Sequence, residues 1–471
     1  MNPSAIDPQS GTYLVRGLNW IGDAVMSLPA INALRTNWPQ RHICVVSRHS
    51  SAPIYARLSG PSDVIPEIRT FSGRCALVSS LKNRAFAGGL IFTNSLSSTL
   101  LLRLGGVPNL CGYLRGIRGL WLKKAFKVDK KVEIYHFCFR FLSLVRLLGL
   151  KTPFSLPKIE AIQLPDRFGL PKGFKICLAP GGAYGEAKRW PTPLLAQAAK
   201  IILASRSGTA IILGSQSEIK DCLKLEEALR GGPTTINLCG LTSLNEVMSI
   251  MSQCALTLAN DSGLAHLSAA LAVPLVSVFG PTSPLGSTPL GRAGLVETLR
   301  APAPCSPCFK KMCPKPSKIC FEPLTGEVAA KAAFKLLDKN IDLGPKAAIW
   351  TQEVGRLNWP SQIPKNIKLI ALEPTAQTPQ PPVGSLIIKS KAVSNQNLAS
   401  ALHELGFSTA RTLWISDNHQ DLNAFSALGG LTALIVTERT VENLLEIYQS
   451  PKLPTLTSPD VGWALDWLAD L

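Results

Sequence analysis

Residues 256–280 read LTLANDSGLAHLSAALAVPLVSVFG, and the hydrophobic pattern changes period twice within them. An apolar, β-compatible run at 256–259 gives way to the turn formers Asn260, Asp261, Ser262 and Gly263. Residues 264–271 then read as a short buried helix, which Pro274 stops before a second strand at 275–279. Two strands joined this way are parallel, because only a crossover of this length returns the chain in the same direction. The same alternation opens the chain. A strand is expected at 12–18, a turn at 19–23, a helix at 24–36 on Val25, Leu28, Ile31 and Leu34, and a strand at 42–47. Pro29 is expected to bend the first turns of that helix. A strand at 90–93, a Ser- and Leu-rich helix ending at Leu104 and an apolar helix at 135–150 follow. Residues 151–171 contain Pro153, Pro157, Pro165 and Pro171 and read as a linker. A second series begins with a strand at 175–178, the glycine-rich turn 179–182, a helix at 194–205, a strand at 210–213 and a turn at 214–218. Ser243 and Glu246 form a capping box for the helix that leads into the 256–280 stretch.

At 471 residues the chain exceeds one core, so several α/β domains are expected. The most apolar runs are interrupted by His136, Arg140 and Arg146, or by His266 and Pro274, and no membrane span is expected. The N-terminus has no basic start and no apolar centre, so the protein is expected to stay in the cytoplasm. There its 12 cysteines are thiols or metal ligands rather than disulfides, and eight of them lie singly in apolar segments as small core residues would. The net charge of +18 is uneven: residues 1–170 hold 22 Lys and Arg against 8 Asp and Glu, a net +14. Its densest part is Arg115, Arg118, Lys123, Lys124, Lys127, Lys130 and Lys131, among Gly112, Tyr113, Gly116 and Trp121. This segment is either a mobile binding loop or a solvated charged face. No nucleic-acid reading motif accompanies it, so the expected anionic partner is a membrane surface or a phosphorylated lipid.

Candidate chemistry clusters where strands become helices. A helix opening at Ser262–Gly263 would point free N–H groups at a phosphate. Gly263 would admit the ligand's close approach, Ser262 would bond an oxyanion and His266 would follow one turn later; the alternative is an ordinary cap made by Asp261 and Ser262. Lys188 and Arg189, just after the glycine-rich turn, would reach a diphosphate. Asp23 lies at a strand-to-helix junction, where it is either an N-cap or a carboxylate placed for chemistry. Cys305, Cys308, Cys313 and Cys320 fall within sixteen residues in the spacing C-x2-C-x4-C-x6-C. That spacing suits structural zinc, an iron–sulfur cluster or, if oxidised, disulfides; four thiolates leave no open position for a catalytic metal.

The passages VRGLNWIGDAVMSLPAINAL, FTNSLSSTLLLRLGGVPNLCGYLRG, APGGAYGEAKRWP, NLCGLTSLNEVMSIMSQC and NDSGLAHLSAAL, with PLVSVFGPTSP after it, occur in the order found in the lipopolysaccharide heptosyltransferases. Over about residues 12–338 the chain resembles that family, and within it the group that adds the second heptose. The resemblance implies the GT-B fold, two facing Rossmann-like domains: residues 1–165 for the acceptor, and 172–343, which include the cysteine-rich segment 305–320, for the nucleotide-sugar. It implies ADP-heptose as donor and the lipid A–Kdo–heptose inner core as acceptor, met at the inner leaflet of the cytoplasmic membrane. It also implies that no cofactor is required. Asp23 would be the base of an inverting transfer; Lys188, Glu218, Asp261, Ser262, Gly263 and His266 would bind the donor; Arg115 and Arg118 would hold acceptor anions. Residues 346–471 resemble a haloacid-dehalogenase-type phosphatase whose two opening aspartates are replaced by Gln352 and Val354, while Asp417 and Asp421 remain, so this domain is expected to be degenerate. A related transferase using another nucleotide-sugar, and a non-catalytic binder of anionic lipid, stay open as alternatives.

Overall fold

The computed structural model describes residues 11–128, 135–292 and 294–338. Beyond them it describes 346–350, 367–372, 386–388, 402–403, 407, 412–416, 425–426, 431–435, 454–458 and 461–470. Gln352, Val354, Asp417 and Asp421 lie outside the described residues. The chain divides into two compact units, one of Met1–Val132 and Phe137–Ile162, the other of Glu133–His136 and Gln163–Leu471. The break after Ile162 falls inside the proline-rich segment read as a linker.

The first unit is built on β1 (Thr12–Arg16), β2 (Ile43–Arg48), β3 (Ser62–Glu67), β4 (Phe86–Ile91), β5 (Leu110–Tyr113) and β6 (Lys124–Phe126), all parallel, in the order β3-β2-β1-β4-β5-β6. The second carries β7 (Lys175–Ala179), β8 (Thr209–Ile212), β9 (Thr234–Asn237), β10 (Leu256–Asn260), β11 (Leu275–Phe279) and β12 (Val296–Arg300). Their order, β12-β11-β10-β7-β8-β9, is the same winding. A third parallel sheet in this unit repeats it with β13 (Lys346–Trp350), β14 (Ile367–Leu372), β15 (Leu386–Ile388), β16 (Thr412–Ser416), β17 (Leu431–Ile435) and β18 (Leu456–Ser458). The central strands β7, β10 and β11 are buried at every position, as strands covered on both faces must be.

The helix after β1 runs Ile21–Asn37, three residues earlier than its apolar spacing predicts, with Pro29 inside it. The helix continues through the proline because its apolar face packs on the helix Phe137–Leu147, and tertiary burial outweighs one lost hydrogen bond. The N-cap is Trp20, which makes no side-chain cap bond, so Asp23 sits in the first turn and is not the cap. The turn before this helix is tied down from below. Arg16, fully buried at the end of β1, pairs with buried Glu67 at the end of β3 and donates to Val46 O at 2.9 Å and Gly17 O at 2.8 Å. The Tyr55 hydroxyl accepts from Leu18 N–H at 2.9 Å and lies 3.0 Å from Ser27 Oγ. A Cβ on Gly17 would fall 2.8 Å from the Tyr55 ring, which is why glycine stands there.

Replacing Glu67 with Gln strands a buried guanidinium. It should destabilise the first unit by about 3 kcal/mol, seen as an earlier transition in urea unfolding.

Candidate active site

In a sheet wound 3-2-1-4-5-6 the connections leave strands 1 and 4 on opposite faces, opening a crevice at their carboxyl ends. In the second unit that point lies between β7 and β10, and the loops that follow these strands carry most of the expected donor residues. Lys188, in the loop after β7, places Nζ 2.6 Å from Asp261 Oδ2, directly after β10. Thr282 Oγ1, after β11, donates to the same oxygen at 2.6 Å. Asn260 ties the two loops together: its Nδ2 donates to Pro180 O at 2.6 Å and Gly181 O at 3.0 Å, and its Oδ1 accepts from Trp190 N–H at 3.0 Å. Ser262 is the N-cap of the helix Gly263–Ala270 but makes no cap bond; its Oγ is buried and has no partner among the described residues. A polar atom without a partner among the described residues at a helix N-terminus, next in sequence to the aspartate that holds half-buried Lys188, suits an anionic ligand.

Three expected residues behave differently from their sequence reading. His266 is buried, and burial foremost pushes its imidazole down to about 4, so it offers a neutral dipole rather than a positive charge at neutral pH. Glu218 closes a capping box, its Oε2 accepting from Ser215 N–H at 2.8 Å and from Ser215 Oγ at 2.7 Å. Its other oxygen covers Gly181, where an added Cβ would stand 1.9 Å from Oε1. Arg118, expected to hold an acceptor anion on a mobile loop, is only 1% exposed and donates to Thr93 O at 2.6 Å from within a 3-10 helix, Gly116–Trp121. Burial lowers its pKa, and its Nε and Nη2 have no partner among the described residues. Arg115 precedes that helix and is exposed.

In the first unit Asp23 follows β1 at the corresponding switch point, half-buried in its helix's first turn. Arg115 and Arg118 follow β5 on the same sheet edge.

Cys305, Cys308, Cys313 and Cys320 all line one cavity of about 100 Å³, together with Ala187, Pro281 and Lys318. Burial first, then the sulfurs of Cys305, Cys313 and Cys308, raise the Cys320 thiol to about 11. Among the described residues no three Cys, His, Asp or Glu side chains already converge to hold a metal. Of the eight scattered cysteines seven are buried as expected, and Cys75 is exposed.

The family model for glycosyltransferase family 9 (heptosyltransferase) matches residues 74–319, more than half of the chain. The chain belongs to glycosyltransferase family 9. It is a glycosyltransferase, similar to lipopolysaccharide heptosyltransferase 2 of Escherichia coli at 27% identity over 305 residues, 61% of this chain and 87% of the relative. Lipooligosaccharide heptosyltransferase 2 of Campylobacter jejuni is 26% identical over 323 residues, covering 68% and 96%. Among solved structures, E. coli ADP-heptose LPS heptosyltransferase II superposes with a TM-score of 0.60 at 24% identity, over 69% of this chain and 98% of that one. An E. coli heptosyltransferase solved with ADP gives 0.54 at 17%, over 69% and 99%. These likenesses give this family 9 enzyme the GT-B fold. No helix among the described residues is long and apolar enough to cross a membrane.

Sequence reasoning missed Thr282, Asn260, Tyr55 and the Arg16–Glu67 pair. Arg16 and Asn260 carried a signal: a polar side chain at the end of an otherwise apolar buried strand must find a partner.

The folded pKa of His266 lies below its ordinary 6.5, so the unfolded chain takes up the proton first. The resulting stability is whole above pH 6.5 and is lost as the pH falls towards 4, by at most about 3 kcal/mol. A His266→Gln variant should show a flatter dependence of Tm on pH across that window.

Proposed function

We propose that this enzyme moves heptose from ADP-heptose to the inner core of lipopolysaccharide, adding the second heptose to a lipid A–Kdo–heptose acceptor at the cytoplasmic membrane. The observation that carries the donor half is the switch-point cluster: half-buried Lys188 pairs with Asp261, and the next residue, Ser262, opens a helix with an Oγ that has no partner among the described residues. The relatives named for heptose transfer support the sugar and the acceptor.

In this mechanism an acceptor hydroxyl attacks the anomeric carbon from the face opposite ADP, the bond to the diphosphate breaks with its electron pair, and the hydroxyl proton passes to the Asp23 carboxylate. The configuration inverts. Negative charge growing on the departing ADP is met by Lys188, the Ser262 hydroxyl and the N–H groups at 262 and 263, which are fixed before the reaction begins. Asp261 holds the lysine in place, and His266 contributes as a neutral imidazole. Glu218 stands beside Gly181 for the ribose hydroxyls, and Arg115 serves the acceptor's anions. Residues 346–471 form a non-catalytic, phosphatase-like domain in this reading.

The four cysteines suit a soft metal in this reading, since all four line one cavity. Zinc or an iron–sulfur cluster held there would be structural, and ligation would draw the sulfurs inward.

Purified protein incubated with a truncated core acceptor should release ADP from ADP-heptose and yield the heptosylated product. Equal transfer from other nucleotide-sugars would replace the donor assignment. Asp23→Asn should lower kcat by about 10²–10⁴-fold while leaving the Kd for both ligands near the parent value. Unchanged kcat would remove Asp23 as the base. Elemental analysis should find zinc or iron in stoichiometric amount in the parent and not in a Cys308→Ser, Cys313→Ser variant.

A further inference from the structure

The first unit ends its sheet on an outcrop that the donor and acceptor chemistry leaves unexplained. Between β5 and the edge strand β6 the 3-10 helix Gly116–Trp121 exposes Ile117 at 64% and Leu120 at 80%. Leu114 and Val128 are exposed beside it in sequence, as are Arg115, Lys123, Lys124 and Lys127. Residues 114–128 contain no Asp or Glu.

This apolar tip is held firmly. On its inner side Arg118 donates to Thr93 O, Leu122 joins the core with Leu14, Ile91 and Leu110, and the flanks are bonded by Leu114 N–H to Phe126 O and Lys123 N–H to Leu110 O, both 2.7 Å. Holding two large aliphatic side chains in water on a fixed turn has no folding benefit. Flanked in sequence by the exposed cations Arg115, Lys123, Lys124 and Lys127, they match an interface whose outer layer is anionic and whose inner layer is hydrocarbon.

We propose that the 114–128 outcrop is a membrane-docking surface: Ile117 and Leu120 enter the acyl boundary of an anionic bilayer while Lys123, Lys124 and Lys127 meet its headgroup phosphates. This deepens the proposed function, on which it rests for a lipid-borne acceptor. An acidic protein partner would use the cations without needing the aliphatic tip.

The test is co-sedimentation of the full chain with phosphatidylglycerol-rich and with pure phosphatidylcholine vesicles, without donor. The parent should bind the anionic vesicles more tightly, and less so as salt rises. Ile117→Ser with Leu120→Ser should weaken binding at least about tenfold, and Lys123→Gln, Lys124→Gln and Lys127→Gln together about a hundredfold. Both variants should keep the parent's transfer rate on a lipid-free truncated acceptor. Parent binding no tighter to anionic than to neutral vesicles overturns the proposal. So does an aliphatic double variant that binds like the parent, since plain electrostatic adsorption would then suffice. Absence of transfer by the parent would count against the proposed function and leave the vesicle result standing.

Discussion

A charge drawn out of water is stabilised most by a counter-charge, and in this chain two such pairs stand at the switch points of two parallel sheets. Arg16 at the end of β1 is neutralised by Glu67, and Lys188 in the loop after β7 by Asp261. The two pairs have different work. Arg16 is fully enclosed and also donates to Gly17 O, Val46 O and Asn19 Oδ1, so it braces the turn that leads to Asp23. Lys188 retains some access to solvent, and its partner Asp261 is followed by Ser262, whose hydroxyl has no partner among the described residues.

The alternation of strand and helix was plain in the sequence because parallel strands buried on both faces are mostly apolar, β-compatible runs, as at 256–259 and 275–279. The placement of the expected donor residues on the sheet was legible for the same reason: Asp261 and Ser262 follow β10 at once, and Lys188 lies in the loop after β7. The ion pair between Lys188 and Asp261 was not legible, because 73 residues separate partners brought together only when β7 and β10 become neighbours. Edge strands β3 and β6 also escaped notice; a half-exposed strand such as SDVIPE lacks a continuous apolar run.

Arg118 shows the limit of reading charge along a line. It belongs to a run of cations in the sequence, yet in three dimensions its guanidinium turns inward and its neighbours Ile117 and Leu120 turn outward, the reverse of what residue type suggests. A 3-10 turn eclipses side chains three apart and so places Ile117 and Leu120 together on one side. The order of residues contains that spacing, but not which side the core will take.

The cysteine segment has one more consequence. Tyr184 Oη donates to Phe309 O at 2.6 Å, Ala187 N–H to Lys311 O at 2.9 Å, and Lys318 Nζ to Glu186 O at 2.9 Å and Arg189 O at 3.0 Å. The stretch around Lys188 is therefore stitched to the cysteine-rich segment, and little disorder remains there for a ligand to freeze out. Any site at this loop would be a template cut in advance, its shape kept by the cysteine-rich segment beside it.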